Sequence, residues 1–123
     1  MKTILCVEDD LAIQEIISDY FSMKTSYKVV TAEDGEIALD QIANSPPDLI
    51  LLDVLLPRIN GLALLEDIRR IESAKDIPVI FISGEMIDET DKELGLKLGA
   101  SAYFEKPIDF PELLKKVNSI LAD

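Results

Sequence analysis

The sequence of 123 residues contains no histidine and a single cysteine. The absence of histidine excludes histidine-ligated metal sites, Ser-His-Asp triads and histidine acid–base pairs. The lone cysteine, Cys6, cannot form an internal disulfide, so a reducing cytoplasm is the expected compartment. No apolar run approaches the roughly 20 residues that a membrane-spanning helix needs, and the first residues lack the pattern of a signal peptide.

Basic residues are also scarce. Lysine and arginine number 12 against 24 aspartates and glutamates, which gives a net charge of −12. A chain this acidic is repelled by a phosphate backbone, so we expect no direct nucleic-acid binding. Hydrophobic residues make up 48% of the chain, a share typical of a globular domain rather than a disordered one. The length fits one domain with a substantial core.

Short apolar runs alternate with amphipathic segments along the chain. Runs rich in Val, Ile and Leu predict strands at 3–7, 27–31, 48–53, 77–83 and 101–105. Apolar residues three and four positions apart predict helices at 11–23, 35–44, 61–72, 88–98 and 110–121. The fourth helix has the weakest pattern, because Gly95 lies inside it. The alternation predicts an α/β fold, a doubly wound five-stranded parallel sheet with five helices.

Polar side chains lie at the carboxyl ends of four of the predicted strands. Strand 1 is followed by Glu8, Asp9 and Asp10, strand 3 ends in Asp53, strand 4 ends in Ser83, and strand 5 is followed by Lys106 and Pro107. In open parallel sheets, ligands bind beyond the carboxyl ends of the strands, where the strand order reverses. If strands 1 and 3 are neighbours, these side chains converge in one crevice.

Carboxylates crowded at one edge of a sheet repel one another unless a cation lies between them. Carboxylate oxygens with several waters are the ligands that Mg²⁺ prefers. A carboxylate beside Mg²⁺ can attack phosphorus, which makes Asp53 the candidate nucleophile. The Ser83 hydroxyl and the Lys106 ammonium could then hold the phosphoryl oxygens. Asp10 has two interpretations, as a member of the acidic site or as the N-cap of the following helix.

The joint pattern resembles the receiver domain of bacterial two-component response regulators. The stretches that carry the resemblance are "ILCVEDD", "LILLDVLLPRINGLALL", "PVIFISG" and "GASAYFEKPID", and together they cover the whole chain. The resemblance implies a flavodoxin-like receiver fold with the strand order 2-1-3-4-5. The chain ends after the fifth predicted helix, so we expect a single receiver domain spanning 1–123 without an output domain. It is either a stand-alone receiver that acts by docking onto a partner or an excised domain.

The resemblance also implies roles for individual residues. It implies that Asp53 accepts a phosphoryl group from a phosphohistidine in a sensor histidine kinase or a histidine phosphotransfer protein. Mg²⁺ would be bound directly by Asp9, helped by Asp53 and, through water, by Glu8, and the backbone carbonyl of Leu55 would complete the protein ligands. Apart from this transfer and the loss of its own phosphoryl group, the domain would catalyse no reaction.

Ser83 and Lys106 match the family's hydroxyl and lysine, which contact the phosphoryl group. The resemblance implies a cis peptide bond between Lys106 and Pro107. Tyr103 matches an aromatic residue that turns inward on activation. We expect partner proteins to bind the face formed by the fourth helix, the fifth strand and the fifth helix. Ser83 and Tyr103 are the switch residues, whose positions would change on activation.

Three positions depart from the commonest family pattern and bear on alternative functions. Glu8 stands where Asp is more usual, Gly84 where Ala is more usual, and Leu55 where a polar residue is common.

An aspartyl-phosphate phosphohydrolase carries a second Asp at the position of Leu55, which argues against that enzyme. A degenerate receiver that only binds partners would have lost an acid, the hydroxyl or the lysine, and none is missing. A flavin protein needs a phosphate-cradling loop where this chain has acids.

Overall fold

The computed structural model describes residues 1–84 and 88–122, along which strands and helices alternate. The strands are β1 (Thr3–Val7), β2 (Lys28–Ala32), β3 (Leu49–Asp53), β4 (Val79–Ser83) and β5 (Ala100–Glu105). The helices are α1 (Leu11–Lys24), α2 (Gly35–Asn44), α3 (Gly61–Arg69), α4 (Glu89–Lys97) and α5 (Phe110–Leu121). These elements confirm the predicted α/β fold class. None of the described helices is both long and apolar enough to cross a membrane.

The described strands form one parallel sheet in the order β2-β1-β3-β4-β5. This order confirms the one that the resemblance implied. Val7 of β1 lies opposite Leu52 of β3, so the segments that follow these two strands leave the sheet side by side. The strand order reverses between β1 and β3, and a crevice opens at such a point in a doubly wound sheet.

Each face of the sheet carries its own apolar core, because successive side chains of a strand point to opposite faces. Ile50 and Leu52 of β3 belong to the core under α2 and α3. Leu49 and Leu51 of the same strand belong to the core under α1 and α5. Every residue of β3 and β4 is buried. Side chains at the ends of these strands therefore lie at the rim of a dry interior.

Each described α-helix begins after an aspartate or asparagine whose side chain accepts a backbone hydrogen bond. These N-cap residues are Asp10, Asp34, Asn60, Asp88 and Asp109. Asp10 Oδ1 accepts from the N–H groups of Ala12 at 2.9 Å and Ile13 at 3.3 Å. Of the two interpretations of Asp10, the structure thus supports the N-cap. The last helix is capped in the same way, with the Glu112 N–H donating to Asp109 Oδ1 at 3.2 Å.

Helix α3 ends at Arg69, before the predicted end at residue 72. The Arg70 N–H donates to the carbonyl of Asp67 at 3.2 Å, which tightens the last turn, and a short 3₁₀ helix follows at Glu72–Ala74. In the sequence, Ile71 continues the apolar pattern of this helix beyond Arg69. It packs against the same core from the turn after the helix, so its spacing alone did not show where the helix ends.

Candidate functional site

Three carboxyl groups meet at the carboxyl ends of β1 and β3. Glu8 and Asp9 follow β1, and Asp53 is the last residue of β3. One carboxylate oxygen of each lies within 4.8 Å of the other two. Glu8 is 3% exposed and Asp53 is 4% exposed, whereas Asp9 is exposed to solvent. Three oxygens at this spacing fit around one cation that enters from the side of Asp9.

Lys106 reaches the same cluster from the end of β5. Its Nζ lies 2.7 Å from Glu8 Oε1 and 3.0 Å from Asp53 Oδ2. Its backbone N–H donates to the carbonyl oxygen of Ser83 at 2.8 Å. The Lys106–Pro107 peptide bond is cis, as the resemblance implied. The ammonium balances only part of the charge of the three carboxyl groups, and a divalent cation would balance the rest.

Burial and ion pairing shift the pKa values of the paired groups. Burial raises the pKa of Glu8 to about 7; the hydrogen bonds from Lys106 and the Asp10 N–H oppose this shift, and the nearby Asp53 adds to it. Burial alone would lower the pKa of Lys106, but its hydrogen bonds to Glu8 and Asp53 outweigh burial and raise it. Burial also raises the pKa of the Cys6 thiol to about 12, so Cys6 is a protonated core residue. A proton and a metal ion therefore compete for Glu8 near neutral pH.

The loop after β3 folds back over the carboxylate of Asp53. Asp53 Oδ1 accepts a hydrogen bond from the Leu55 N–H at 3.0 Å. The Gly61 N–H donates to the carbonyl of Val54 at 2.6 Å, and a β-carbon on Gly61 would lie only 2.6 Å from the carbonyl oxygen of Asp53. A glycine at position 61 is thus required for this close approach. Sequence reasoning missed this role of Gly61, although the glycine directly follows the N-cap residue Asn60. The metal-ligand role of the Leu55 carbonyl stays a prediction.

Gln14 is a second residue that sequence reasoning missed. Its Nε2 donates a 2.5 Å hydrogen bond to the carbonyl oxygen of Glu8, and only 9% of the residue is exposed. It lies on the buried face of α1 with Ile17 and Phe21. A polar side chain on an apolar helix face is the signal that could have identified it. Its hydrogen bond holds the backbone of Glu8 in place below the carboxyl cluster.

Ser83 and Tyr103 lie on the neighbouring strands β4 and β5. Ser83 is buried and lies opposite Glu105. The Tyr103 ring is half-buried and stacks on Phe81, with ring centroids 5.2 Å apart and an angle of 16° between the ring planes. Its hydroxyl donates to the carbonyl of Asp91 in α4 at 3.4 Å. An inward rotation of Tyr103 on activation stays a prediction.

The chain matches a known protein family over most of its length. A model described as the response regulator receiver domain matches residues 4–118. The chain belongs to this family. Receiver domains of two-component response regulators are phosphoacceptors that interact with histidine kinases, rather than enzymes in the ordinary sense.

Known relatives resemble this receiver domain over nearly its whole length. It is 38% identical over 118 residues to the transcriptional regulatory protein BaeR of Escherichia coli O6:H1, with 96% of this chain and 47% of BaeR covered. The receiver domain spans about half the length of the curated relatives it matches. The restriction to a single domain without an output domain stays a prediction.

Two solved structures show the same fold. The chemotaxis protein CheY4 of Vibrio cholerae has a TM-score of 0.89 at 28% identity, with 98% of this chain and 99% of that chain covered. The response regulator TrrA of Thermotoga maritima was solved in complex with Mg²⁺-BeF; it has a TM-score of 0.85 at 32% identity, with 98% of this chain and 100% of that chain covered.

Proposed function

We propose that this receiver domain accepts a phosphoryl group on Asp53, in a Mg²⁺-dependent reaction, from a phosphohistidine of a sensor histidine kinase or a histidine phosphotransfer protein. The position of Asp53 carries the proposal. Its carboxyl group is 4% exposed, lies 3.0 Å from the Lys106 ammonium, and has two further carboxyl groups within 4.8 Å. Phosphoryl transfer depends mainly on such positioning and on neutralised charge.

The transfer exchanges one bond to phosphorus for another. A carboxylate oxygen of Asp53 bonds to phosphorus while the bond from phosphorus to the imidazole nitrogen breaks, and the electron pair leaves with the imidazole. The Lys106 ammonium, which hydrogen-bonds Asp53, then contacts one phosphoryl oxygen, and the Ser83 hydroxyl donates to another. These two donors hold the product phosphoaspartate in a fixed orientation.

The carboxyl cluster fits a bound Mg²⁺ ion, because its oxygen donors are close together and carry more negative charge than Lys106 balances. Asp9 and Asp53 would bind the ion directly, Glu8 through a water molecule, and Leu55 through its backbone carbonyl. When bound, Mg²⁺ neutralises charge on the carboxylate and phosphoryl oxygens.

Incubation with Mg²⁺ and acetyl phosphate, followed by intact-mass measurement, tests the acceptor. We expect the wild-type domain to gain one phosphoryl group and Asp53→Asn, which keeps the shape without the nucleophile, to gain none. Asp40→Asn, the same change at an exposed position of α2, should gain one as the wild type does. A phosphoryl group on Asp53→Asn at full stoichiometry would refute the assignment, and none on the wild type would indicate a degenerate receiver.

We also propose that partner proteins bind the face formed by α4, β5 and α5. Ser83 moves toward the phosphoryl oxygens, and the space that it leaves allows the Tyr103 ring to turn inward. The packing of α4 supports this proposal, because few of its side chains are buried. Of the nine described residues of α4, one, Gly95, is buried. Amide exchange with and without Mg²⁺ and beryllium fluoride should change within residues 84–106. Changes confined to the loops after β1 and β3 would contradict this route.

A further inference from the structure

Helix α4 contacts the sheet through a glycine. Gly95 is buried, and the Tyr103 hydroxyl lies directly against it. A β-carbon built on Gly95 would overlap the hydroxyl oxygen and would lie 3.2 Å from Tyr103 Cζ. Its distance to Phe81 Cε2 would be 3.6 Å, an ordinary contact. Among the residues that the structure describes, Tyr103 is therefore the one that fills the space a side chain at position 95 needs.

Two further contacts hold the Tyr103 ring in this position. The ring stacks on Phe81, and the hydroxyl donates to the Asp91 carbonyl. Asp91 precedes Gly95 by four positions, so its carbonyl lies one turn earlier on the same strip of the helix surface. The ring is thus enclosed between Phe81 and α4, with its hydroxyl over the turn that joins Asp91 to Gly95.

The end of α4 is anchored, so the helix cannot easily move away from the ring. The Arg69 guanidinium donates to four backbone carbonyl oxygens, those of Leu98, Gly99, Ala74 and Ile77. Two of these carbonyls directly follow α4, and Arg69 is the last residue of α3. A shift of the last turn of α4 would break the two hydrogen bonds to Leu98 and Gly99. A side chain at position 95 would therefore displace the Tyr103 ring rather than the helix.

Glycine inside a helix is less favourable than alanine, so its presence at the packed position of α4 requires a reason. We propose that Gly95 is a positioning residue of the receiver switch: its missing side chain leaves the notch that the Tyr103 hydroxyl occupies. This inference rests on the proposed switch role of Tyr103. In the proposed switch, the ring leaves this notch when it turns inward on activation. With alanine at position 95, the ring lies outside the notch whether or not Asp53 carries a phosphoryl group, so phosphorylation no longer changes the α4–β5–α5 face at Tyr103.

A double-mutant cycle in metal-free buffer tests the notch. We expect Gly95→Ala to lower the urea midpoint of the wild type, because the methyl group displaces the ring. In the Tyr103→Leu background, the same change should raise the midpoint, because the hydroxyl is gone and alanine favours the helix. Glu93→Ala, an exposed change in the same helix, should shift the midpoint equally in both backgrounds.

Equal shifts by Gly95→Ala in the two backgrounds would overturn the proposal, because the two residues would then act independently. If Gly95→Ala alone does not fold, the double variant decides the question. Recovery of folding by Tyr103→Leu supports the notch, and failure of both variants to fold overturns it. The cycle needs no phosphoryl donor, so its result is independent of whether Asp53 accepts a phosphoryl group.

The position of the ring can be observed directly by ¹⁹F NMR of protein labelled with 3-fluorotyrosine. The chain has three tyrosines, and the Tyr103 resonance is the one lost in Tyr103→Leu. Gly95→Ala should move this resonance and leave those of Tyr20 and Tyr27 in place. Mg²⁺ and beryllium fluoride should then shift it in the wild type but no longer in Gly95→Ala. An unmoved Tyr103 resonance in metal-free Gly95→Ala would overturn the proposal.

Discussion

Arg69 Nε donates a 2.6 Å hydrogen bond to the carbonyl oxygen of Leu98, 29 positions further along the chain. The same guanidinium donates from Nη1 to the carbonyls of Ala74 at 2.9 Å and Ile77 at 2.7 Å. Burial lowers the pKa of Arg69, and the nearby Asp76 opposes that shift, but an arginine stays charged in proteins. One side chain therefore joins the end of α3, the turn before β4 and the turn after α4.

We expect Arg69→Ala to lower the free energy of unfolding by about 2–4 kcal/mol, because hydrogen bonds to a charged group are lost and several half-buried carbonyls lose their donor. Urea unfolding measures this change. Amide exchange at the end of α4 should also rise, since that turn loses its anchor.

Arg70 provides a matched control next to Arg69. Its side chain is 75% exposed, and among the described residues it pairs only with Asp67, at 3.1 Å. Exposed pairs of this kind contribute little, so Arg70→Ala should change stability by less than about 0.5 kcal/mol. Equal losses in Arg69→Ala and Arg70→Ala would show that the carbonyl contacts of Arg69 do not stabilise the fold.

Asp9→Ala should weaken Mg²⁺ binding at least roughly tenfold, about 1.4 kcal/mol, while the domain stays folded. Asp9 is exposed, and the cap of α1 is provided by Asp10 instead, so the fold does not depend on Asp9. Isothermal titration calorimetry with MgCl₂ measures the affinity.

Asp10→Asn separates ligation from general attraction by negative charge. It removes the same charge one position later, and asparagine caps a helix as well as aspartate does. We expect a clearly smaller loss of Mg²⁺ affinity than in Asp9→Ala. If both variants lose the same affinity, Asp9 attracts the ion only through its charge and is not a ligand.

The stability of the metal-free domain should fall as the pH rises from about 4.5 to about 7. Burial raises the pKa of Glu8 from its ordinary value of 4.5 to about 7. Within this window the folded state keeps a proton on Glu8 that the unfolded chain has released, so a rising pH favours the unfolded state. Above the folded-state pKa both states have lost the proton and the effect is complete. Urea unfolding in EDTA, at several pH values, measures the trend.

Glu8→Gln should flatten this pH dependence, because the amide does not titrate. Glu36→Gln, at an exposed position in the first turn of α2, should leave the slope as it is in the wild type. A slope of the same size in Glu8→Gln would assign the effect to other groups and contradict the raised pKa of Glu8.

Arg58→Gly should stabilise the domain by about 0.5–1 kcal/mol. Among the described residues, Arg58 is the one non-glycine residue with positive φ, at 66°. A side chain in this region costs roughly 1–2 kcal/mol, and the greater freedom of glycine in the unfolded chain offsets part of the gain. Thermal or urea unfolding measures the difference.

Arg58→Lys is the control for that change, because it keeps the strained backbone and the charge and should leave stability unchanged. Arg58 also lines a surface cavity of about 290 Å³ with Asp34, Glu36 and Asp67. A loss of stability in Arg58→Gly would show that the backbone strain at Arg58 is smaller than the cost of the greater freedom of glycine in the unfolded chain.

The order of strands and helices and the position of the acidic cluster follow from the sequence alone. The spacing of apolar residues is a local property of the chain, and it predicts strands and helices from a few neighbouring residues. Asp9 and Asp53 could be expected to meet because neighbouring parallel strands end at one edge of a sheet. The approach of Lys106 to both Glu8 and Asp53 agrees with the same reasoning.

Contacts between residues far apart in the chain depend instead on the three-dimensional packing of these strands and helices. From the sequence alone, Gly95 is an unfavourable residue inside a predicted helix, and Arg69 is a basic residue near the end of another. Their contacts with Tyr103 and Leu98 depend on how α3 and α4 are set against the sheet. Such contacts join residues far apart in the chain and leave no periodic signal, because packing geometry rather than local spacing determines them.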